Sequence, residues 1–228
     1  TASWEIADLR TESLGSNLFK PARSQSLAFH FARRLVEAFP NVRPGIINFG
    51  MGAQNISRWA VFNQMENYFT FNNVRASLWQ LAPLPSIGQG DIFNIHALHI
   101  QNALNLLTPE QRKISVILWH QGESDSDVTA DYYMTALKRV IDQYRLLPTC
   151  ATTTPIIVGS TVGMEKPGLG WNIQNPSLAH MNSDADPYTR FIDAADLLPA
   201  ADLIHFSSRG HRDLGTKYYN AFKDILQI

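Results

Sequence analysis

Strand-sized apolar runs alternate along this chain with amphipathic helical stretches, and this alternation restricts its possible folds more than any other feature. The clearest apolar run is Ile114 to Trp119, which fits a strand covered on both faces. It lies between two stretches with apolar residues at helical spacing, Asp91 to Leu107 and Tyr132 to Leu147. Such an order predicts a doubly wound α/β fold, with helices on both faces of a parallel sheet.

Three further strands and two further helices complete the predicted order. The strands are expected at Gly45 to Phe49, Pro155 to Ser160 and Thr189 to Ile192. One helix is predicted within Ser24 to Phe39, where apolar residues recur every four positions, and the last helix is predicted with Ser208 as its N-cap. With 228 residues, 45% of them hydrophobic, we expect a single domain over 1–228.

Charge and apolar run length exclude several classes of function. The 19 Lys and Arg residues nearly balance the 20 Asp and Glu residues, so we expect neither nucleic acid nor a membrane surface as a partner. No apolar run reaches 18 residues, so we predict that no segment spans a bilayer. Cys150 is the only cysteine, which excludes an internal disulfide framework and a cysteine-rich zinc site.

A carboxylate and an imidazole stand three residues apart just before the last predicted helix. Asp202 precedes His205 in the segment Asp-Leu-Ile-His. Across a tight turn, the carboxylate can accept a hydrogen bond from the imidazole Nδ1, which leaves Nε2 to act on a substrate. The pattern also occurs in ordinary surface pairs, but its position between the last strand and the last helix favours a site. We therefore predict the base of a serine hydrolase at His205 and its orienting partner at Asp202.

Two other segments follow predicted strands and contain glycine. The first is Trp-His-Gln-Gly-Glu-Ser-Asp at 119–125, where side chains and backbone N–H groups at the sheet edge can meet a developing oxyanion. The alternative is a polar turn whose Glu123 and Asp125 face water or cap the next helix. The second segment, 48–59, includes Gly50 and Gly52, which permit either close approach to a ligand or simply a tight turn.

A metal site and a nucleotide site are the natural competitors. His96 and His99 stand three apart on a predicted helix, but no H-E-x-x-H is present, and two imidazoles without a third ligand are more often packing residues. No glycine-rich nucleotide-binding motif occurs either. We therefore expect neither a metal nor an organic cofactor.

Together the three segments resemble the SGNH hydrolase superfamily, and residues 119–125 are similar to the Q-G-E-S block of its sialate O-acetylesterase and acetylxylan esterase branch. The resemblance covers about Ser24 to Ile228 and implies a three-layer α/β/α, flavodoxin-like fold. It also implies an oxyanion hole formed by the Gly52 N–H and the Gln121 side-chain amide, with Glu123 beside them. Ala53 departs from the family, which often has a second glycine there.

The nucleophile is the main departure from the family pattern. These esterases carry their serine in a G-x-S motif after the first, central strand, and no such strand with its motif stands in this sequence. The resemblance therefore places the first strand and its serine upstream of Thr1, so that the serine is either missing from this chain or supplied by a separate fragment of the same precursor. Three fallback serines are Ser13 in Thr-Glu-Ser-Leu, Ser16 in Gly-Ser-Asn and Ser124 in Gly-Glu-Ser.

The resemblance implies a carbohydrate O-acetyl esterase that releases acetate from acetylated sugars through an acyl-enzyme. A secreted or extracytoplasmic location is expected with it. The alternative is a catalytically silent carbohydrate-binding or interaction domain on the same fold. In either case, aromatic residues such as Trp59, Trp79 and Trp171 could stack on sugar faces.

Overall fold

Three parallel strands form a sheet in the described part of the chain. The computed structural model describes residues 26–52, 54–60, 90–125, 128–162 and 186–228. Strands β1 (Ile117–His120), β2 (Ile156–Gly159) and β3 (Thr189–Ile192) pair in the order β1-β2-β3. Ile117 stands opposite Ile156, which in turn stands opposite Thr189. All three strands therefore end at the same edge of the sheet.

In the described ranges, four α-helices connect and cover these strands: α1 (Leu27–Ala38), α2 (Asp91–Leu104), α3 (Ala130–Arg145) and α4 (Ser208–Leu226). Two short 3₁₀ helices lie at Ile56–Arg58 and Pro109–Gln111. None of the described helices is both long enough and apolar enough to cross a membrane.

Three of the helices begin at a side-chain cap. The side chains of Ser26, Thr129 and Ser207 accept hydrogen bonds from backbone N–H groups in the first turns of α1, α3 and α4. The predicted N-cap of the last helix is therefore displaced by one position, because Ser208 is its first helical residue. The hydroxyl of Ser207 accepts from the Gly210 N–H, which satisfies one of the free donors at the helix start.

Two apolar clusters lie on opposite faces of the sheet. Trp119 and Val158 pack with α2 and α3 in the first cluster. Ile157 and Ile192 pack with α1 and α4 in the second cluster. Because neighbouring residues of a strand point to opposite faces, β2 contributes to both clusters. This arrangement confirms the predicted three-layer α/β/α fold.

The strand predicted at Gly45 to Phe49 is absent, although these residues are described. A cavity of about 950 Å³ is lined on one side by residues 42–52 and on another by residues 114–121. A strand needs a neighbour for its ladder hydrogen bonds, and the cavity occupies the position of that neighbour. The apolar pattern at Gly45 to Phe49 instead reflects partial burial, since Ile47 and Phe49 are partly buried against the first cluster.

Candidate active site

The Asp202 carboxylate holds the imidazole of His205 in a tight turn before α4. Asp202 Oδ2 lies 2.7 Å from His205 Nδ1, and Oδ1 accepts hydrogen bonds of 3.0 Å from the backbone N–H groups of Ile204 and His205. Partial burial opposes ionisation of Asp202, but these hydrogen bonds outweigh it and lower its pKa to about 2. The carboxylate is therefore ionised, and Nε2 is the ring nitrogen left for a substrate.

The backbone of this turn is unusual at Leu203, whose φ of 61° lies in the left-handed region. Two backbone hydrogen bonds hold it there: Leu203 N to Ala200 O at 3.0 Å, and Ala200 N to His205 O at 2.7 Å. The conformation directs two backbone N–H groups onto one carboxylate oxygen. The imidazole itself remains 68% exposed, so a substrate can reach it.

At the carboxyl end of β1, His120 and Glu123 form a second imidazole–carboxylate pair. His120 Nε2 lies 3.2 Å from Glu123 Oε1. Burial opposes ionisation of Glu123, but the hydrogen bond and the charge of His120 prevail, with a smaller contribution from His205, and the pKa of Glu123 is lowered. Glu123 is thus an anion within electrostatic reach of His205.

The side-chain amide of Gln121 is held by the protein. Its Nε2 donates to the Gln54 carbonyl oxygen at 3.0 Å and to Asp125 Oδ2, and its Oε1 accepts from Tyr133 Oη at 3.1 Å. Both amide hydrogens therefore have acceptors within the protein. An oxyanion at this place would have to replace one of them.

Asp125 links the turn after β1 to the glycine-containing segment 48–59. Its carboxylate is fully buried and accepts from the Ile56 N–H, with O···N distances of 3.1 and 3.0 Å. The sequence left open whether this residue faces water or caps the next helix; the structure shows a buried acceptor. The motif gave no sign of this, because a buried and an exposed aspartate look alike in sequence.

Gly52 lies where a ligand can approach. A Cβ atom added to Gly52 would meet nothing within 4 Å. The Gly52 carbonyl accepts from Gln54 Nε2 at 2.8 Å, which orders the loop beside it. Close packing against a neighbouring residue is therefore not the reason for a glycine at position 52.

Four of the predicted site residues line one cavity. Gly52, Gln121, Glu123 and His205 all border the cavity of about 950 Å³, and Ser124 borders it as well. Asp202 stands behind His205 as its hydrogen-bond partner. The fallback serines Ser13 and Ser16 lie outside the described residues.

The aromatic and histidine candidates have a packing role. Trp59 is only 7% exposed, and its ring lies edge-on to Trp119 at a centroid distance of 5.0 Å, so its suggested use as an exposed sugar platform is wrong. Trp79 and Trp171 lie outside the described residues. The ring of His96 stacks on Phe49 at 4.5 Å, and its Nδ1 lies 2.6 Å from Tyr144 Oη.

Solved structures share this fold over nearly the whole chain. A carbohydrate acetylesterase from Sinorhizobium meliloti matches with a TM-score of 0.53 and 14% identity, covering 96% of this chain and 94% of that one. A carbohydrate acetylesterase family member from the same organism matches with a TM-score of 0.50 and 12% identity, covering 96% and 95%. Identities this low show the fold alone, which is that of SGNH hydrolases.

A third structure, of a protein from Arabidopsis thaliana, has a TM-score of 0.45 and 20% identity. That match covers 58% of this chain and 52% of the Arabidopsis protein, so the chain spans about half of its length. No curated protein sequence matches the chain significantly. The family model described as carbohydrate esterase, sialic acid-specific acetylesterase matches residues 3–224. The chain therefore belongs to the sialic acid-specific acetylesterase family of carbohydrate esterases.

Proposed function

We propose that this protein hydrolyses O-acetyl esters on carbohydrates through a serine nucleophile and an acyl-enzyme, without a metal or organic cofactor. The observation that supports this best is the placement of His205, with Asp202 at 2.7 Å from its Nδ1, on the same cavity as Gly52 and Gln121. An oriented imidazole beside candidate oxyanion donors is the arrangement that acyl transfer requires.

Each residue has one role in the proposed reaction. The serine Oγ attacks the acetyl carbonyl carbon while His205 Nε2 takes the hydroxyl proton. The tetrahedral intermediate collapses, the sugar oxygen leaves with that proton, and the acetyl group stays on the serine. Water activated by the same imidazole then releases acetate. Asp202 stabilises the imidazolium in both halves of the reaction.

The proposed oxyanion donors are the Gly52 N–H and the Gln121 amide. Gln121 would exchange its hydrogen bond to the Gln54 carbonyl for one to the oxyanion, while Asp125 continues to hold the other amide hydrogen. Loss of one such donor costs about 3 kcal/mol of transition-state stabilisation. Glu123 is proposed as a nearby anion that fixes the ring of His120.

We place the nucleophile on a segment of the same precursor that precedes Thr1. Ser124 borders the cavity with Glu123 and is a second candidate. Ser13 and Ser16, outside the described residues, are the third and fourth. A fluorophosphonate probe separates the four, because it attaches covalently to an activated serine. Peptide mapping of the labelled chain by mass spectrometry then identifies which serine reacted.

The deciding experiment measures acetate release from p-nitrophenyl acetate and from acetylated xylan. The full precursor should be active, and His205→Ala should lower the rate to the background of the assay. His99→Ala, a histidine outside the proposed machinery, should retain activity. Wild-type rates in His205→Ala would contradict the proposed base.

The alternative is a catalytically silent carbohydrate-binding domain on the same fold. It predicts saturable binding of acetylated sugars, no acetate release and no serine labelled by the phosphonate. That combination of results would replace the esterase proposal.

A further inference from the structure

The buried carboxylate of Asp125 joins the two segments that contain the proposed oxyanion donors. Its side chain is fully buried, and its oxygens accept from the Ile56 N–H at 3.1 and 3.0 Å. Oδ2 also accepts from the side-chain amide nitrogen of Gln121. The backbone N–H of Asp125 donates to the Gly122 carbonyl at 3.0 Å, which closes the turn after β1. Asp125 is therefore fixed through its backbone as well as through its carboxylate.

The atoms around Gln121 decide which end of its amide is the nitrogen. Nε2 lies between two acceptors, Asp125 Oδ2 and the Gln54 carbonyl oxygen, the latter at 3.0 Å. Turning the amide over would place its oxygen against both acceptors, one of which is a carboxylate with no hydrogen to donate. Asp125 therefore favours the orientation in which Gln121 presents hydrogen-bond donors on the side of Gln54.

Tyr133 holds the other end of the same amide. Its hydroxyl lies 2.6 Å from the Gln121 carbonyl oxygen and 3.1 Å from Gln121 Oε1. Tyr133 is fully buried, and burial, followed by the negative charge of Asp125, raises its pKa. The phenol therefore keeps its hydrogen and remains a donor. The amide of Gln121 thus has a donor at its oxygen and acceptors at its nitrogen.

The contacts of Asp125 and Gln121 also tie the turn after β1 to the segment with Gly52. Gln121 donates to the Gln54 carbonyl, and Asp125 accepts from the Ile56 N–H. The Gln54 side chain in turn donates to the Gly52 carbonyl at 2.8 Å. Oxyanion donors are effective when each lies about 2.7–3.1 Å from one common point. Two donors on separate segments therefore need a link that fixes their distance, and a misplacement of about 1 Å can cost on the order of 10² in rate.

We propose that Asp125 is a positioning residue of the oxyanion hole, which keeps the amide nitrogen of Gln121, and not its oxygen, turned toward the developing oxyanion. The inference rests on the proposed function for the oxyanion, whereas the orientation of the amide rests on the contacts alone. Asp125 touches no reacting atom in this scheme. It retains one amide hydrogen of Gln121 and leaves the other for the oxyanion.

Asp125→Asn tests this inference, because asparagine keeps one oxygen for the Ile56 N–H but places an NH₂ group against Gln121. Two NH₂ groups cannot bond to each other, so the Gln121 amide should turn over and present its oxygen instead. With the full precursor and p-nitrophenyl acetate, kcat should fall about 10²–10³-fold, as for the loss of one oxyanion donor, and KM should change by less than about threefold. A raised KM with an unchanged kcat contradicts the proposal.

Two comparisons separate positioning from a general loss of stability. Tyr133→Phe removes a hydrogen bond from the same amide but leaves both acceptors at its nitrogen, so kcat should fall by less than about tenfold. In a Gln121→Ala background, Asp125→Asn should lower kcat by less than about threefold more, because the amide through which it acts is absent. An equal loss in Tyr133→Phe and Asp125→Asn, or a full additional loss in the Gln121→Ala background, overturns the proposal.

NMR of the Gln121 side-chain amide reports its orientation without any turnover. In the wild-type chain its hydrogens should give a nuclear Overhauser effect to the Ile56 N–H, because both groups bond to Asp125 Oδ2. Loss of the signal in Gln121→Ala assigns it. In Asp125→Asn the effect should move to the ring of Tyr133. Wild-type amide hydrogens that contact the Tyr133 ring and not Ile56 overturn the proposal, even if Asp125→Asn does not fold.

The orientation of the amide and the proposed function fail separately. If the wild type shows the contact to Ile56 but the precursor releases no acetate, the orientation set by Asp125 stands and the esterase proposal is wrong. If the precursor hydrolyses the ester and Asp125→Asn does so at the wild-type rate, the esterase proposal stands and the positioning role of Asp125 is wrong.

Discussion

Asp202 uses its two carboxylate oxygens for different purposes. Oδ1 accepts the N–H groups of Ile204 and His205 and shapes the turn, while Oδ2 faces the imidazole Nδ1. An asparagine retains an oxygen for the turn but loses the charge that stabilises an imidazolium. We therefore expect Asp202→Asn to reduce kcat by about 10³–10⁴-fold, as loss of the carboxylate does in serine hydrolase triads, with little change in thermal midpoint. Steady-state kinetics and a thermal melt measure the two effects.

Asp202→Ala is the companion variant, because it removes the turn acceptor as well. Its thermal midpoint should fall by about 2–4 °C, equivalent to about 1 kcal/mol for a chain of this size. If Asp202→Asn lowers the thermal midpoint as much as Asp202→Ala does, the assignment of different roles to Oδ1 and Oδ2 is wrong. Full activity of Asp202→Asn would contradict its role beside His205.

Among the elements, α1 and α4 approach each other closely at Gly215. A Cβ atom there would lie 2.5 Å from His30 Cβ and 2.8 Å from the Leu27 carbonyl oxygen, so the helices would have to separate. The gain in helix propensity from Gly to Ala, about 1 kcal/mol, is smaller than the cost of the overlap. We expect Gly215→Ala to lower the free energy of unfolding by about 1–2 kcal/mol net, measured by urea denaturation.

Gly52→Ala is the matched control for stability, because nothing lies within 4 Å of its added methyl group. Its free energy of unfolding should stay within about 0.5 kcal/mol of the wild-type value. A loss at Gly215→Ala no larger than that of Gly52→Ala would show that α1 adjusts freely against α4.

The elements also show what a sequence can and cannot predict. Period-four apolar spacing was sufficient for α1, and a continuous apolar run was sufficient for β2, because each pattern directly reflects burial. At Gly45 to Phe49 the strand prediction was wrong, since ladder pairing depends on a neighbour that no local pattern contains. The site followed the same rule: the motif indicated Gln121 and Glu123, but not that Asp125 is buried and holds the Gln121 amide.

In the whole molecule, burial of histidines couples the fold to pH. Two imidazoles are kept largely from water. His96, on α2, stacks on Phe49, and His211, on α4, lies beside Phe206. Burial lowers the pKa of each to about 4, with a smaller contribution from neighbouring histidines. In the unfolded chain both imidazoles titrate near their ordinary value of about 6.5.

The sign of the pH effect follows from these values. Between pH 6.5 and about 4 the unfolded chain binds protons that the folded chain does not, so the free energy of unfolding falls as the pH is lowered through this range. The loss between pH 7 and pH 5 should be about 2 kcal/mol for each histidine. Asp202, with its pKa lowered to about 2, keeps its contribution throughout this range, because that contribution is lost only below the carboxyl's unfolded pKa of about 4.

Urea denaturation at pH 7 and pH 5 measures this coupling. His96→Gln keeps a side chain that can bond Tyr144 Oη but cannot take up a proton, so its loss between the two pH values should be smaller than that of the wild type by about 2 kcal/mol. His211→Gln should reduce the loss by a similar amount, and the double variant by the sum. Each variant is its own control, since the cost of the substitution at pH 7 cancels in the difference. If both variants lose as much free energy of unfolding between pH 7 and pH 5 as the wild type does, these imidazoles bind protons equally well in the folded and unfolded chain. Burial would then not exclude protons from His96 or His211.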